Sequence, residues 1–266
     1  MKKENYLLNK VKYLLKRIGA PKYINKYGPK KYTLAEKLYN LFLRSEWKSS
    51  FRKTVSLCSQ IDISCSSKST LNYTLKKIPW QFIKNMLKAT ITKETYIAAI
   101  DGTGLSRNRL SEHYTLRAGI NIMKRKAAKL SMLIDTKTKK ILSARFRKKT
   151  AHDIKDVKYL LNEAITKPKK LVADKAYDAE WFREFLALQG IECCIPVKKN
   201  AKKGFYRKKS MFDKRTYNRR VMIESSFFRL KQLYGHTLNC IKAVSMRNEV
   251  YLRLILYNLS IILNTI

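Results

Sequence analysis

Acidic residues are scarce in this sequence. Its 266 residues carry 19 Asp and Glu against 58 Lys and Arg, a formal net charge of +39. An ordinary solvated surface needs no such asymmetry, and like charge on this scale opposes compaction unless a polyanion neutralises it. The cations run through the whole chain, not along one arm or one helical face. That favours nucleic acid over an anionic membrane as the partner. Histidine is also rare: His113, His152 and His236 are too scattered for a metal-ligand set and read as structural or polar residues, with His152 set apart by the motif it opens. The cysteines Cys58, Cys65, Cys193, Cys194 and Cys240 are odd in number and include no C-x-x-C pair. This argues against a zinc site or a disulfide framework and leaves free, mostly buried thiols in a reducing compartment. Long apolar runs are missing too. The opening MKKENYLLNKVKYLLKR has no uninterrupted apolar stretch, so no secretory signal is expected. The stretch Val250 to Ile266 is broken by Arg253, Asn258 and Asn264, and reads as a buried amphipathic helix instead of a membrane span.

What is present is a chain with enough apolar content (45%) to bury a core, and its texture changes near residue 94. Before that point the pattern predicts helices over Asn5–Ile18, Thr33–Trp47, Ser49–Gln60, Ser67–Lys77 and Trp80–Ala89, with Gly28-Pro29 breaking the first pair. Phe51–Ile61 and Ser67–Ile78, around Asp62-Ile63-Ser64-Cys65, are similar to a helix-turn-helix. Residues 1–93 are therefore expected to form a small helical domain.

From residue 94 strands take over. A short apolar strand, Tyr96–Ile100, ends at Asp101-Gly102-Thr103-Gly104. Strands are expected at Tyr114–Met123, Ala128–Ile134 and Ile141–Phe146, with a turn around Asp135. A helix follows at Ile154–Ile165, with Asp153 as its N-cap. Leu171–Ala173 is a buried strand ending at Asp174, Ala179–Gln189 a helix whose start includes Asp178, and Ile191–Val197 a strand. A basic loop, Lys198 to Arg215, carries Lys198, Lys199, Lys202, Lys203, Arg207, Lys208 and Lys209 among interleaved aromatic residues. Helices Thr216–Leu233 and Val244–Asn264 close the chain. The order indicates an α/β domain over residues 94–266, a mixed sheet flanked by helices.

Three acids stand out by position. Asp101 and Asp174 each end an apolar strand, where ligands of α/β sheets gather. If those strands are parallel neighbours, the carboxylates converge and repel unless a cation lies between them, and their oxygens suit Mg²⁺ or Mn²⁺. Each Asp alone reads equally as a turn residue or cap. On a helical wheel at about 100° per residue, Tyr217, Arg220, Glu224 and Lys231 lie within roughly 60° of one another. Ile223, Phe227, Leu230 and Tyr234 form an apolar stripe beside them. An exposed ion-paired face would explain Arg220 and Glu224 but not Tyr217 or Lys231.

Tyr217, two residues, Arg220, three residues, Glu224, six residues, Lys231 resembles the Y-R-E-K signature of DDE transposases of bacterial and archaeal insertion sequences. Ile100-Asp101-Gly102-Thr103 resembles that family's first-Asp motif, Val172-Ala173-Asp174-Lys175-Ala176-Tyr177-Asp178 its second, and His152-Asp153 before a helix is similar as well. The resemblance covers Ile97 to Ile266. It implies an RNase H-like fold and a metal triad of Asp101, Asp174 and Glu224 holding two Mg²⁺ ions, for which Mn²⁺ can substitute. It further implies a transposase that cleaves and transfers DNA strands at element ends. Its partners would be double-stranded DNA (terminal inverted repeats and target) and a second copy in an active homodimer. No membrane partner is implied, and the location would be a prokaryotic cytoplasm. Arg220, Lys231 and Tyr217 would contact DNA near the cut, with the basic loop holding flanking DNA. Some relatives carry a long β-rich insertion between the second Asp and the Glu; here only residues 175–223 lie there, so a DNA-hairpin route is not assumed. The competing readings are an RNase H-like endonuclease that does not transpose, a catalytically dead DNA-binding descendant, and a basic RNA-packing protein.

Overall fold

The computed structural model describes residues 2–24, 27, 30–91, 94–107, 117, 119, 127–201, 203–209 and 212–263. The chain forms two compact units. One comprises Met1–Thr90, Arg107–Ser111 and Leu230–Ser260; the other comprises Ile91–Ser106, Glu112–Arg229 and Ile261–Ile266.

The first unit is helical. Its N-terminal helices are α1 (Lys2–Arg17), α2 (Leu34–Glu46), α3 (Phe51–Gln60), α4 (Lys68–Lys77) and α5 (Trp80–Ala89). Thr33 starts α2 through a reciprocal capping box: Glu36 N donates to Thr33 Oγ1 at 3.3 Å and Thr33 N to Glu36 Oε2 at 2.7 Å. Leu38, Leu41 and Phe42 then bury one face of that helix. Ser50 and Ser67 cap α3 and α4 in the same way, each accepting from the amide three residues on. Residues 61–67 join α3 to α4, a longer link than the three or four residues of a helix-turn-helix.

The last helix, α11 (Ala243–Leu263), corrects the amphipathic reading, because every residue from Val250 to Leu259 is buried. The polar side chains that seemed to mark a wet face have internal partners. Arg253 donates to the carbonyls of Gly235 and Thr237, both at 3.0 Å, and to Glu249 Oε1 at 2.7 Å. Asn258 donates to Thr90 Oγ1 at 2.8 Å. Among the described residues no helix is long and apolar enough to cross a membrane.

The second unit holds the expected mixed sheet. Its described strands are β1 (Ile97–Ser106), β2 (Ala127–Asp135), β3 (Ile141–Arg147), β4 (Lys170–Val172) and β5 (Glu192–Cys194), in the order β3-β2-β1-β4-β5. β2 runs antiparallel to β1 and β3; β4 runs parallel to β1 and β5. Alternation along the strands puts Ala98, Ile100, Leu133 and Leu171 on one face. There they join a core with Val157, Leu160 and Leu161 of α6 (Val157–Glu163) and Phe182 and Leu186 of α7 (Glu180–Leu188). The Asp135 turn is as expected, its carboxylate accepting from the amides of Lys137 and Thr138.

Several expectations need correction. β1 does not end at Asp101: pairing with β2 continues to Ser106, while the parallel ladder to β4 ends at Ala99, so Asp101 sits where one neighbour drops away. The helix expected from Ile154 begins as a 3₁₀ turn, Asp153–Asp156, and becomes α6 only at Val157. The helix expected over Thr216–Leu233 is broken into α9 (Lys214–Tyr217), a 3₁₀ turn (Asn218–Arg220) and α10 (Val221–Tyr234). Of the strand expected at Tyr114–Met123 only residues 117 and 119 are described, neither of them in a strand; the rest of it, with His113 and Lys202, lies outside the described residues.

Candidate active site

The register between β1 and β4 builds the site. Ile97 pairs with Lys170, Ala98 with Leu171 and Ala99 with Val172. The ladder stops two residues before Asp101 on one strand and two before Asp174 on the other, so both acids follow directly from its end, and the Asp174 charge acts on both Asp101 and Arg220. One oxygen of each carboxylate is tied to the following amide: Gly102 N donates to Asp101 Oδ1 at 2.7 Å and Lys175 N to Asp174 Oδ1 at 2.5 Å. These bonds fix the side chains and leave the other oxygens for a ligand.

Glu224 comes from the first turn of α10. Arg220, on the 3₁₀ turn before that helix, links the acids: its Nη2 lies 2.6 Å from Glu224 Oε1 and its Nη1 lies 3.7 Å from Asp101 Oδ2. Burial pushes the Asp101 carboxyl up, and Asp153 and Asp174 add to the shift, while the Gly102 amide and Arg220 oppose it. Among the described residues no three acids, histidines or cysteines stand as a preformed metal cage. The donor set nevertheless fits a hard divalent cation, since it is all carboxylate oxygen and already draws a guanidinium between Asp101 and Glu224. Beneath it the Tyr177 hydroxyl is buried and has no partner among the described residues. Burial, then Asp153, Asp101, Asp156 and Asp174, keeps that phenol protonated far beyond its usual range, so a donor waits below the acids.

Asp153 does not cap a helix, because the 3₁₀ turn has His152 at its N-cap with no side-chain bond. Its Oδ1 instead meets Lys129 Nζ at 2.5 Å. Asp153 was read from the sequence as a cap within the His152-Asp153 motif, and Lys129 was not singled out. Among the other sequence candidates, Tyr217 packs on Phe212 with ring centroids 5.2 Å apart, and the Arg220 guanidinium is 6.0 Å from its ring. Lys231 lies two turns beyond Glu224 on α10.

In its described residues the basic loop is tied down as a strap. Asp178, expected at a helix start, is fully buried and accepts from Arg183 Nε at 2.9 Å, Arg207 Nε at 3.1 Å and Lys198 N at 2.9 Å. Burial alone would raise its carboxyl, but those donors hold it below the usual range. Glu180 accepts from the amides of Tyr206 and Arg207 and so caps α8 (Phe205–Lys209). Gly204 precedes it at φ +136, a backbone conformation that favours glycine because any L side chain is strained there. The strap leaves Lys198, Lys199, Lys203, Lys208 and Lys209 exposed while Arg207 is half-buried. The five cysteines are free, as expected, and burial pushes the Cys193 thiol up to about 11.

The transposase DDE domain family matches residues 92–259, more than half of the chain. No curated protein matches the sequence. Among solved structures the chain is similar to a piggyBac transposase synaptic complex with hairpin DNA, at 11% identity and a TM-score of 0.54, over 98% of this chain and 72% of that one. A second similarity, to a simian T-cell lymphotropic virus intasome, spans 80% of this chain and 66% of that one at 12% identity, and its TM-score of 0.36 carries no argument. The first similarity speaks for the fold alone. The family match over residues 92–259 is what decides identity: the chain belongs to the transposases with a DDE domain, a family of enzymes whose chemistry uses divalent metal ions.

Proposed function

We propose that this transposase cleaves and joins DNA at the ends of an insertion sequence, with Asp101, Asp174 and Glu224 as its metal-binding acids. The observation that carries the reading is the Arg220 bridge from Asp101 to Glu224, beside a β1–β4 ladder whose end lies two residues before both Asp101 and Asp174. When bound by these acids, two Mg²⁺ ions, or Mn²⁺ in their place, activate the attacking oxygen and neutralise the leaving oxygen of a phosphodiester.

The chain's own residues do the rest. Water attacks first and leaves a 3′-hydroxyl at the element end, and that hydroxyl then attacks target DNA at the same site. The planar guanidinium of Arg220 suits a phosphate as well as a carboxylate, so it can pass from Glu224 to the strand being cut. Tyr217 and Lys231 continue the DNA track, and the exposed strap lysines hold flanking backbone. The buried, protonated thiols make poor nucleophiles, which agrees with a route that needs no covalent protein intermediate.

In this reading residues 1–93 hold the element ends. Helix α4 supports this: it buries Leu71, Thr74 and Leu75 and turns Ser69, Asn72, Tyr73 and Lys76, spaced as one helical face, away from that stripe. It carries no acid, and a cavity of about 820 Å³ lined by Lys31, Tyr32, Lys37 and Tyr73 adjoins it. Paired-end chemistry calls for a homodimer.

The test is a cleavage and joining assay in Mg²⁺ on DNA carrying the gene's own flanks. Wild type should yield cut and joined products, and Glu224→Gln should bind the same DNA without cutting it. A Glu224→Gln protein that still cut normally would remove Glu224 from the metal site, and cutting without joining would favour a nuclease that does not transpose.

A further inference from the structure

The His152-Asp153 motif has no task in the scheme above, yet its carboxylate lies closer to the Asp101 strand than any turn anchor requires. Asp153 Oδ1 stands 2.6 Å from the point a Cβ on residue 102 would occupy, so a larger residue at 102 would push the carboxylate from its place. The Lys129 ammonium holds that oxygen at 2.5 Å and also donates to the carbonyl of Ala151 at 2.6 Å. Asp153 Oδ2 has no hydrogen bond among the described residues, and the side chain is 38% exposed.

A structural role would be the plain explanation, but Asp156 already fills it. That carboxylate, fully buried, ties the 3₁₀ turn to β2 and β3 through Ser131 Oγ at 2.8 Å and Arg147 Nε at 2.7 Å, with Arg145 Nη1 at 3.4 Å. Asp153 is the opposite case: 38% exposed, held among the described residues by the Lys129 side chain, and close against the residue after Asp101.

We propose that Asp153 is a fourth acid of the divalent-cation site around Asp101, with the Lys129 ammonium balancing its charge until the cation enters. This rests on the metal-dependent reading of Asp101, Asp174 and Glu224. The two members of the pair then act with opposite signs. Removing the Asp153 charge weakens cation binding, whereas removing the Lys129 charge strengthens it by taking away a competing cation. A merely structural ion pair would shift stability in both variants and cation affinity in neither.

The experiment is calorimetric titration of Mn²⁺ into the full-length protein without DNA, with circular dichroism as the folding control. Asp153→Asn should bind Mn²⁺ more weakly by about 10- to 100-fold, the usual cost of losing a supporting group at a metal site. Lys129→Met should bind it more tightly than wild type. If Asp153→Asn proves unfolded, the Lys129→Met/Asp153→Asn double variant should still bind more weakly than Lys129→Met alone. Asp101→Asn separates the two levels of the argument. If Asp101→Asn loses Mn²⁺ while Asp153→Asn and Lys129→Met match wild type, the fourth acid is overturned and the metal site stands. If Asp101→Asn also matches wild type, the metal-site reading falls and this inference falls with it.

Discussion

Arg220 Nη2 lies 2.6 Å from Glu224 Oε1, four residues along the chain. An exposed pair at this spacing contributes only about 0.3–0.5 kcal/mol, and Glu224 is 51% exposed, so the contact is a poor reason for keeping these residues together. In the proposed reading their value lies in chemistry. Arg220→Ala should therefore leave the thermal midpoint within about a degree or two of wild type while strand joining falls by at least about 100-fold. A large drop in thermal midpoint with joining retained per folded molecule would reverse that conclusion.

Asp178 makes the contrasting prediction. It is fully buried, and its partner Arg183 is 2% exposed, so removing the carboxylate strands a guanidinium in the core. Asp178→Ala should cost about 3–5 kcal/mol in urea unfolding, the range for breaking a buried pair on one side. It should also free the strap at Lys198 and Arg207, read as protease cleavage within residues 198–209. A loss below about 1 kcal/mol would mean that Arg183 is satisfied without Asp178.

The contrast between these acids marks what sequence could and could not reveal. Asp101 and Asp174 stood out because each ends a short apolar run, and both runs are buried strands of the sheet. Glu224 was legible because its neighbours recur at helical spacing. Asp153 and Asp178 were misread as helix starts, since an Asp before a helix usually caps it. Their actual partners, Lys129, Arg183 and Arg207, are set by tertiary contacts that no local pattern encodes. The same limit hid the 3₁₀ turn at Asn218–Arg220, which interrupts a wheel drawn as one continuous helix. It also hid the partners that let α11 bury Arg253 and Asn258.

Glu249 should shape the acid limb of stability. Burial would raise its carboxyl, but Arg253 and Arg44 hold it below the ordinary value of 4.5. An acid with a depressed folded-state pKa stabilises the fold fully above its unfolded value, and the gain is lost as pH falls through the folded value. Stability should thus fall away below about pH 4.5 as Glu249 takes up a proton. Glu249→Gln should be less stable at neutral pH, and its curve should converge on wild type in acid. Urea midpoints that stay parallel from pH 7 to pH 3 would exclude Glu249 as a source of the acid limb.

The strap lysines should appear in the salt dependence of DNA binding. Lys199, Lys203, Lys208 and Lys209 are exposed, whereas Arg207 is committed to Asp178. Replacing the four lysines with Ala should reduce the slope of log affinity against log salt by roughly 3 to 4, at about 0.9 per phosphate contact. Replacing Arg207 should instead act through the fold of the strap, lowering stability as well as affinity. An unchanged slope in the four-lysine variant would move the flanking-DNA track elsewhere.

Helix α4 allows a sharper separation, because its outward residues differ in what they can read. Asn72 has an amide able to pair with the edge of a base, whereas Lys76 offers only a point charge. If α4 reads the element end, Asn72→Ala should cost about 1–3 kcal/mol of preference for end DNA over random DNA. Lys76→Ala should weaken both DNAs alike and lower the salt slope by about 1. Competition binding at two salt concentrations separates these effects. Leu71, Thr74 and Leu75 stay untouched, so the buried face of α4 is unaltered in either variant. Equal losses on end and random DNA for Asn72→Ala would leave α4 as a backbone contact and move sequence reading to another surface of residues 1–93.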